Sequence, residues 1–386
     1  MNEDKGTRYR RAERTLRAFE VTVATVTLCA IAISRLPGAV RAFGDAVGPV
    51  TGPVAAFARD TGVAAAILAV SLALPALAAS PLALRRLGGL ARRYNLPVVT
   101  GRDYVAEHLR RGLLVVAGGG LGWWVFARLS SYAPWLAGLA FSASALAVVA
   151  IVMLLAPWLI LLSPRVRPLR DEAVTGRLHA LASRAQLRLA GLHEWVFGPN
   201  GDHANAALVG VIGPRRLLIS DTLIAGCPLE EMDAVVAHEL GHHAHGHTWQ
   251  RVRSEATILV IAVFAAQASA AGPARWIGGT AGPTDPASLP WMLLGAGAVW
   301  LVTRPWQLAL SRAHEAEADA FALALTGRPD VLERVLMRIG TRNLSSDDDS
   351  WLTRAFFLTH PPIPARIAAA RRAGGPAPSA PSSAAS

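Results

Sequence analysis

The amino-acid sequence predicts a mainly α protein of multi-pass membrane helices combined with a domain that carries a small β-sheet. Three observations lead there. Of 386 residues, 52% are hydrophobic and only 17% are charged, too apolar for an ordinary soluble domain. The apolar residues gather in long uncharged runs, among them the 36 residues from Leu129 to Pro164, where a hydrocarbon core asks for about 20. After Arg165 the composition changes to short segments divided by Gly, Pro and Asn, the pattern of strands and amphipathic helices.

Residues 1–17 are polar and rich in arginine, and Val21 to Ser34 is apolar. A basic start before a short apolar core is the layout of a secretory signal. No small-x-small cleavage site follows cleanly, so the segment reads as an uncleaved anchor helix. Thr61 to Leu84 holds 24 residues without a charge, enough to span a bilayer, with a kink expected at Pro75. Arg85 to Arg111 reads as an arginine-rich loop. Gly112 to Pro164, punctuated by Arg128 and Pro134, reads as a helical hairpin. Residues 1–164 are thus expected to form an N-terminal membrane domain of about four spans.

Beyond it, residues 169–187 read as an amphipathic helix, and 189–197, 204–212 and 216–219 as short strands. A helix begins at Leu229. Two further membrane segments are expected at about 256–271 and 289–302; both are short for full spans, which admits a re-entrant pair. Helices follow over 305–326 and 330–343. The second domain therefore covers 165–372, interrupted by these two segments. The Gly-, Pro-, Ala- and Ser-rich residues 373–386 read as a disordered tail.

The net charge is +11, and Lys5 is the only lysine. The arginines flank apolar runs, so the positive-inside rule explains them better than a nucleic-acid partner, which is not expected. With six spans and the N-terminus inside, the arginine-rich segments 8–14, 85–111 and 165–170 all face the cytoplasm, and the 272–288 loop, with only Arg275 and Asp285, faces out. The 35–60 loop, with Arg35, Arg41 and Arg59, fits this less well. Cys29 and Cys227 form neither a disulfide framework nor a Cys-x-x-Cys metal site.

The chemistry is signalled by His238-Glu239-Leu240-Gly241-His242. On a helix His238 and His242 share a face and can grip one metal ion, while Glu239 is placed to act on a metal-bound water. A solvated polar helix face is the bland alternative. Catalytic zinc usually takes three protein ligands. A metzincin would need Gly at 245 and His at 248, and this chain has His245 and Thr248, so that class fails. Two acidic residues are candidates for the third ligand, Glu255 and Glu315. In Ser311–Asp319, Arg312, Glu315 and Asp319 share a helical face, so that Glu315 could ligate while Asp319 orients a ligand histidine; a charged helix with internal ion pairs would look the same. His243, His245 and His247 suggest a second metal site, but His243 and His247, also i and i+4, lie on another helical face with no nearby carboxylate to complete it, and the three read as a solvated or headgroup-facing cluster. His314 is expected to point away from the site.

Several separated segments occur in order: Asn205-Ala206 closing on Gly210, Asp221-Thr222-Leu223, Glu230-Glu231 leading into Ala237–His242, Ser311-Arg312 with Glu315 and Ala318-Asp319, and His360-Pro361-Pro362 with Arg366-Ile367. Over about residues 165–370 the chain resembles the CAAX prenyl endopeptidase and HtpX-like family of membrane zinc metallopeptidases, which are gluzincins. Tyr94-Asn95-Leu96 and Thr100 to Leu109 resemble the membrane region of the prenyl-endopeptidase branch, which typically has seven spans where six are counted here. The resemblance implies a zincin-like metallopeptidase domain with one Zn2+ per chain on His238, His242 and Glu315. It implies Glu239 as general base, Asp319 as support for a zinc histidine, and Asn205 on an edge strand holding substrate backbone. It further implies His360 as a donor to the oxyanion, aided by Arg366.

The expected function is a membrane-embedded zinc endopeptidase, using a zinc-activated water on membrane-associated or lipid-modified protein substrates. The expected setting is the plasma (inner) membrane of a bacterium with the site facing the cytoplasm. The competing readings are a sensor-type membrane metallopeptidase in signalling and a non-enzymatic metal-binding or transport protein. The latter should carry ionisable residues within its spans, and the uncharged runs 61–84 and 129–164 argue against it. The sequence is silent on oligomeric state.

Overall fold

The computed structural model of the chain describes residues 5–46, 51–96, 98–196, 206–210, 215–342 and 350–374. In chain order the elements are α1 (Lys5–Ile33), α2 (Leu36–Ala46), α3 (Pro53–Leu84), α4 (Ala91–Arg93), α5 (Gly101–Tyr132), α6 (Pro134–Leu161), β1 (Val166–Pro168), α7 (Glu172–Arg184), β2 (Leu189–Trp195), β3 (Ala206–Val209), β4 (Arg215–Ser220), α8 (Asp221–Gly226), α9 (Leu229–Ala244), α10 (His247–Ala271), α11 (Pro273–Trp276), α12 (Leu289–Thr326), α13 (Pro329–Arg342), α14 (Trp351–Phe356) and α15 (Ile363–Gly374). The fold is mainly helical with one small mixed sheet, as the composition predicts. Two compact units are formed, one from residues 1–147 with 255–304 and the other from 148–254 with 305–386.

The first unit is a helical membrane assembly. Among the described residues of the whole chain, six helical segments are long and apolar enough to cross a bilayer: 5–33, 53–93, 101–132, 135–161, 247–276 and 286–326. Large apolar side chains stand exposed along them, Leu113 at 71% and Trp158 at 60%, a surface suited to lipid rather than water. Inside the first unit Ala64, Ile67 and Leu68 of α3 pack with Trp123 of α5 and Leu289 of α12. Glu20 of α1 takes two hydrogen bonds from Arg86, at 2.7 and 3.0 Å, so neither charge is left bare in an apolar setting.

Several expectations change here. The 85–111 segment is not a loop. A π-helical turn over Arg85–Leu90 carries α3 into α4, and α5 starts at Gly101, where the Thr100 hydroxyl accepts the backbone N–H of Asp103 at 3.2 Å and donates to its carboxylate at 2.7 Å. Arginine and leucine are good helix formers, and such a cap starts a helix outside the apolar run. The 35–60 segment contains α2 and the start of α3. The runs 256–271 and 289–302 are the apolar parts of long helices, extended by charged residues to His247 and Thr326, with Pro305 inside α12. Their full lengths suffice for spanning, so length no longer favours a re-entrant pair.

The second unit is built on the sheet, in the order β1-β2-β4-β3, with β2 and β4 parallel and the other pairs antiparallel. Leu192 of β2 and Leu217 and Ile219 of β4 form one side of its core. Leu178 and Leu181 of α7, Met232, Val236 and Leu240 of α9, and Ala322 of α12 form the other. Alternation put these strand residues inward. Val166–Pro168 pairs with β2 as a three-residue strand that the sequence pattern did not show. The short β3 lies at the sheet edge, pairing with β4 from Ala206↔Ile219 to Val209↔Arg216. Asn205 and the disordered-tail expectation from residue 375 onward lie outside the described residues.

Candidate metal centre

Helix α9 opens after Pro228 with Glu230 and Glu231 in its first turn, where acidic side chains complement the helix dipole. Its residues Met232, Val236 and Leu240 pack into the core beneath the sheet, Ala234 packs against Val331 and Val335 of α13, and the Gly241 side meets α12. Gly241 sets that approach. A Cβ at this position would fall 3.0 Å from Ala318 Cα and 3.1 Å from Ala318 O, so any side chain here would have to push the two backbones apart by a few tenths of an ångström, and glycine avoids this.

This approach brings Glu315 to the histidine pair. The Nε2 atoms of His238 and His242 are 3.2 Å apart. Glu315 Oε2 is 3.5 Å from His238 Nε2, and Glu315 Oε1 is 3.5 Å from His242 Nε2. Among the described residues these three form the one group of three or more His, Cys, Asp or Glu whose ligand atoms all lie close together, within 4.8 Å. Glu255 is not part of it. Two imidazole nitrogens and a carboxylate oxygen are a zinc donor set, and ligand bonds of about 2.0–2.1 Å in tetrahedral arrangement put donors roughly 3.3 Å apart. The residues fit zinc on both counts.

His238 Nδ1 lies 2.9 Å from Asp319 Oδ1, and Arg366 donates to both Asp319 oxygens at 2.6 Å. Arg366 therefore spends its donors on Asp319, a partner that the sequence pattern did not suggest. His360 is exposed, and its Nδ1 is 2.8 Å from Glu315 Oε2. Arg312 donates to the carbonyls of Arg354 and Leu358, at 2.5 and 2.9 Å, and so pins the segment leading to His360.

Burial opposes a charge on His238, yet the hydrogen bonds to Asp319 and Glu315 outweigh it and raise its pKa to about 9. Burial pushes the Glu239 carboxyl above the ordinary carboxylate range, against the pull of the His238 and His242 imidazoles. A half-buried carboxylate of raised basicity beside a metal site is suited to carrying a proton.

The expected solvated histidine cluster takes a different form. Gly246 has φ +67°, so α9 stops and α10 starts at His247, and His243 and His247 do not belong to one continuous helix. His247 turns back to the site: its Nδ1 is 2.9 Å from His242 Nδ1, and its Nε2 is 2.8 Å from Glu317 Oε2. The carboxylate missing from the sequence pattern is Glu317. His314 faces this cluster, stacked on His247 at 4.1 Å between ring centroids and bonded to Gln250 at 2.8 Å.

A membrane-helical protein with a helix-borne histidine pair completed by a glutamate from a later helix has the architecture and donor set of a membrane metalloprotease. Residues 168–373 match the family model of peptidase family M48, and the chain belongs to that family. It is 30% identical over 206 residues to a CAAX prenyl protease 1 homolog of Arabidopsis thaliana, covering 52% of this chain and 48% of that one. It is 30% identical over 230 residues to a Protease HtpX homolog of Acidiphilium cryptum, covering 52% and 75%. The chain spans about half (48%) of the length of the prenyl-protease relative. Ste24p from S. mikatae shares the fold, with TM-score 0.64 and 20% identity over 80% of this chain and 75% of that one.

Proposed function

We propose that this protein is a membrane-embedded zinc endopeptidase that hydrolyses membrane-associated or lipid-modified protein substrates at a site facing the cytoplasm. The observation that carries the reading is the convergence of His238, His242 and Glu315, with Glu239 beside them. These three residues would hold one Zn2+ per chain. When bound there, zinc supplies Lewis acidity toward water and a peptide carbonyl.

The chain's own groups divide the remaining work. Glu239 takes the proton of the attacking water and delivers it to the leaving amine, and the raised basicity of its carboxyl favours the first transfer. Asp319 accepts from His238 Nδ1, which fixes the tautomer that leaves Nε2 free for the metal. Arg366 holds Asp319 in place with two charge-assisted hydrogen bonds. The oxyanion donor assigned here is His360, and its exposure and its 2.8 Å contact with Glu315 support that role; Arg366, 3.7 Å from the same Glu315 oxygen, is assigned to assist it. The edge position of β3 suits strand addition by an extended peptide, the role proposed for Asn205 just before it. The likeness to proteins named CAAX prenyl protease 1 supports a lipid-modified protein substrate, and the six apolar helices support a membrane setting, proposed here as the plasma membrane of a bacterium.

The test is mass spectrometry of membrane-protein fragments produced by purified wild type and by Glu239→Gln. The substitution keeps the shape and removes the base, so zinc content stays at one per chain and cleavage falls by at least about 100-fold. Identical fragment patterns from both proteins would refute the assignment.

A further inference from the structure

One ring nitrogen of each metal-site histidine faces Glu315, and the other faces away. For His238 the outward nitrogen meets a carboxylate, Asp319. For His242 it meets a third imidazole, and the consequences of that pairing are fixed by hydrogen-bond chemistry. His242 Nε2 faces His238 Nε2 and Glu315, so it is the nitrogen left for a metal and the proton belongs on Nδ1. His242 Nδ1 then donates to His247 Nδ1 across 2.9 Å. A neutral imidazole that accepts at Nδ1 carries its proton at Nε2, and His247 Nε2 stands 2.8 Å from Glu317 Oε2. Each nitrogen in this row has one role, and the roles are compatible.

The surrounding structure holds the middle ring still. The His247 side chain is 4% exposed, while Glu317 at its far end is 51% exposed. His314 stacks on one face of His247, with the planes 14° apart, and His245 stacks at 5.4 Å. His314 is itself tied by Nε2 to Gln250. The left-handed turn at Gly246 delivers this ring, because a continuous helix would carry residue 247 past the face that His242 occupies.

We propose that His247, oriented by Glu317, is a positioning residue for His242, fixing its tautomer and ring plane so that Nε2 is presented to the metal. The proposal rests on the zinc-site reading above and deepens it. The two ligand histidines are then braced unequally. His238 is held by an Asp–Arg ion pair shielded from water, and His242 by a neutral ring whose carboxylate reaches solvent.

The experiment uses the full-length protein in detergent with three readouts: zinc affinity by chelator competition, the visible absorption of the Co2+-substituted protein, and thermal unfolding. His247→Leu keeps bulk and removes the acceptor. His247→Asn keeps an acceptor oxygen where Nδ1 stands. The expected result is about a 10–100-fold loss of zinc affinity for His247→Leu, with a shifted cobalt spectrum, and recovery of most of both in His247→Asn. Glu317→Ala is expected to weaken zinc in the same direction. Wild-type affinity and spectrum in His247→Leu would overturn the proposal. So would equal losses in the Leu and Asn variants, since that result marks packing and not an acceptor. A wild type that binds zinc and cleaves while these variants do too leaves the peptidase reading standing and removes only this one. A wild type that binds no zinc overturns both.

Discussion

His193 on β2 has a buried Nδ1 with no hydrogen-bond partner among the described residues. Burial, reinforced by the nearby Arg216, holds its pKa below the ordinary imidazole value. The unfolded chain therefore binds this proton more readily than the folded one. The resulting stability is fully present above about pH 6.5 and declines as pH falls below it. Unfolding midpoints measured between pH 7.5 and 5.5 should fall less in His193→Leu than in wild type; parallel curves would contradict the account. Sequence alone made some of the site legible at this scale. His238, Glu239 and His242 announce themselves because helical spacing links neighbours in the chain to neighbours in space. Glu315 and Asp319 are more than 70 residues away, and their spacing could be read equally as a solvated face. His247 and Glu317 were illegible because the left-handed residue at Gly246 resets the phase of the histidines that follow.

Two glycines govern the elements that carry the proposed metal ligands. Gly241 permits contact between the α9 and α12 backbones, so Gly241→Ala should part the helices, with zinc content falling well below one per chain even where the fold survives. Metal analysis and far-ultraviolet circular dichroism together check this; full zinc occupancy would show that the approach is not limiting. Gly246 has open space around its missing side chain, so Gly246→Ala acts through φ alone, costing roughly 1–2 kcal/mol and showing as a lower unfolding midpoint. Among the elements, β2, β3, β4 and the amphipathic α7 followed from periodicity. The arginine-rich helical ends did not, because polarity was read as loop where it marks only the end of the apolar run. The three-residue β1 is too short to show any alternation.

Across the whole molecule, charge distribution predicts sidedness. Trp276, 86% exposed at the end of α11 just after α10, is expected outside and Arg372 inside. In a chain with Cys29 and Cys227 replaced, Trp276→Cys should react with a membrane-impermeant maleimide in intact cells, and Arg372→Cys only after the membrane is opened. The reverse pattern would invert the arginine argument. Chelation should abolish cleavage and lower the unfolding midpoint of the full chain, and added zinc should restore both; a chelated protein that still cleaves would exclude the metal role.

His247 is the first residue of α10, and Glu315 lies on α12 behind residues that run through the bilayer-length helix starting near residue 286. No contiguous cut can therefore release a water-soluble catalytic fragment. Ending the chain before α10 discards the ring behind His242 together with Glu315, the carboxylate proposed to hold the metal, and keeping Glu315 retains two hydrophobic anchors. A shortened, lipid-free version of this site is therefore closed off by the order of its helices.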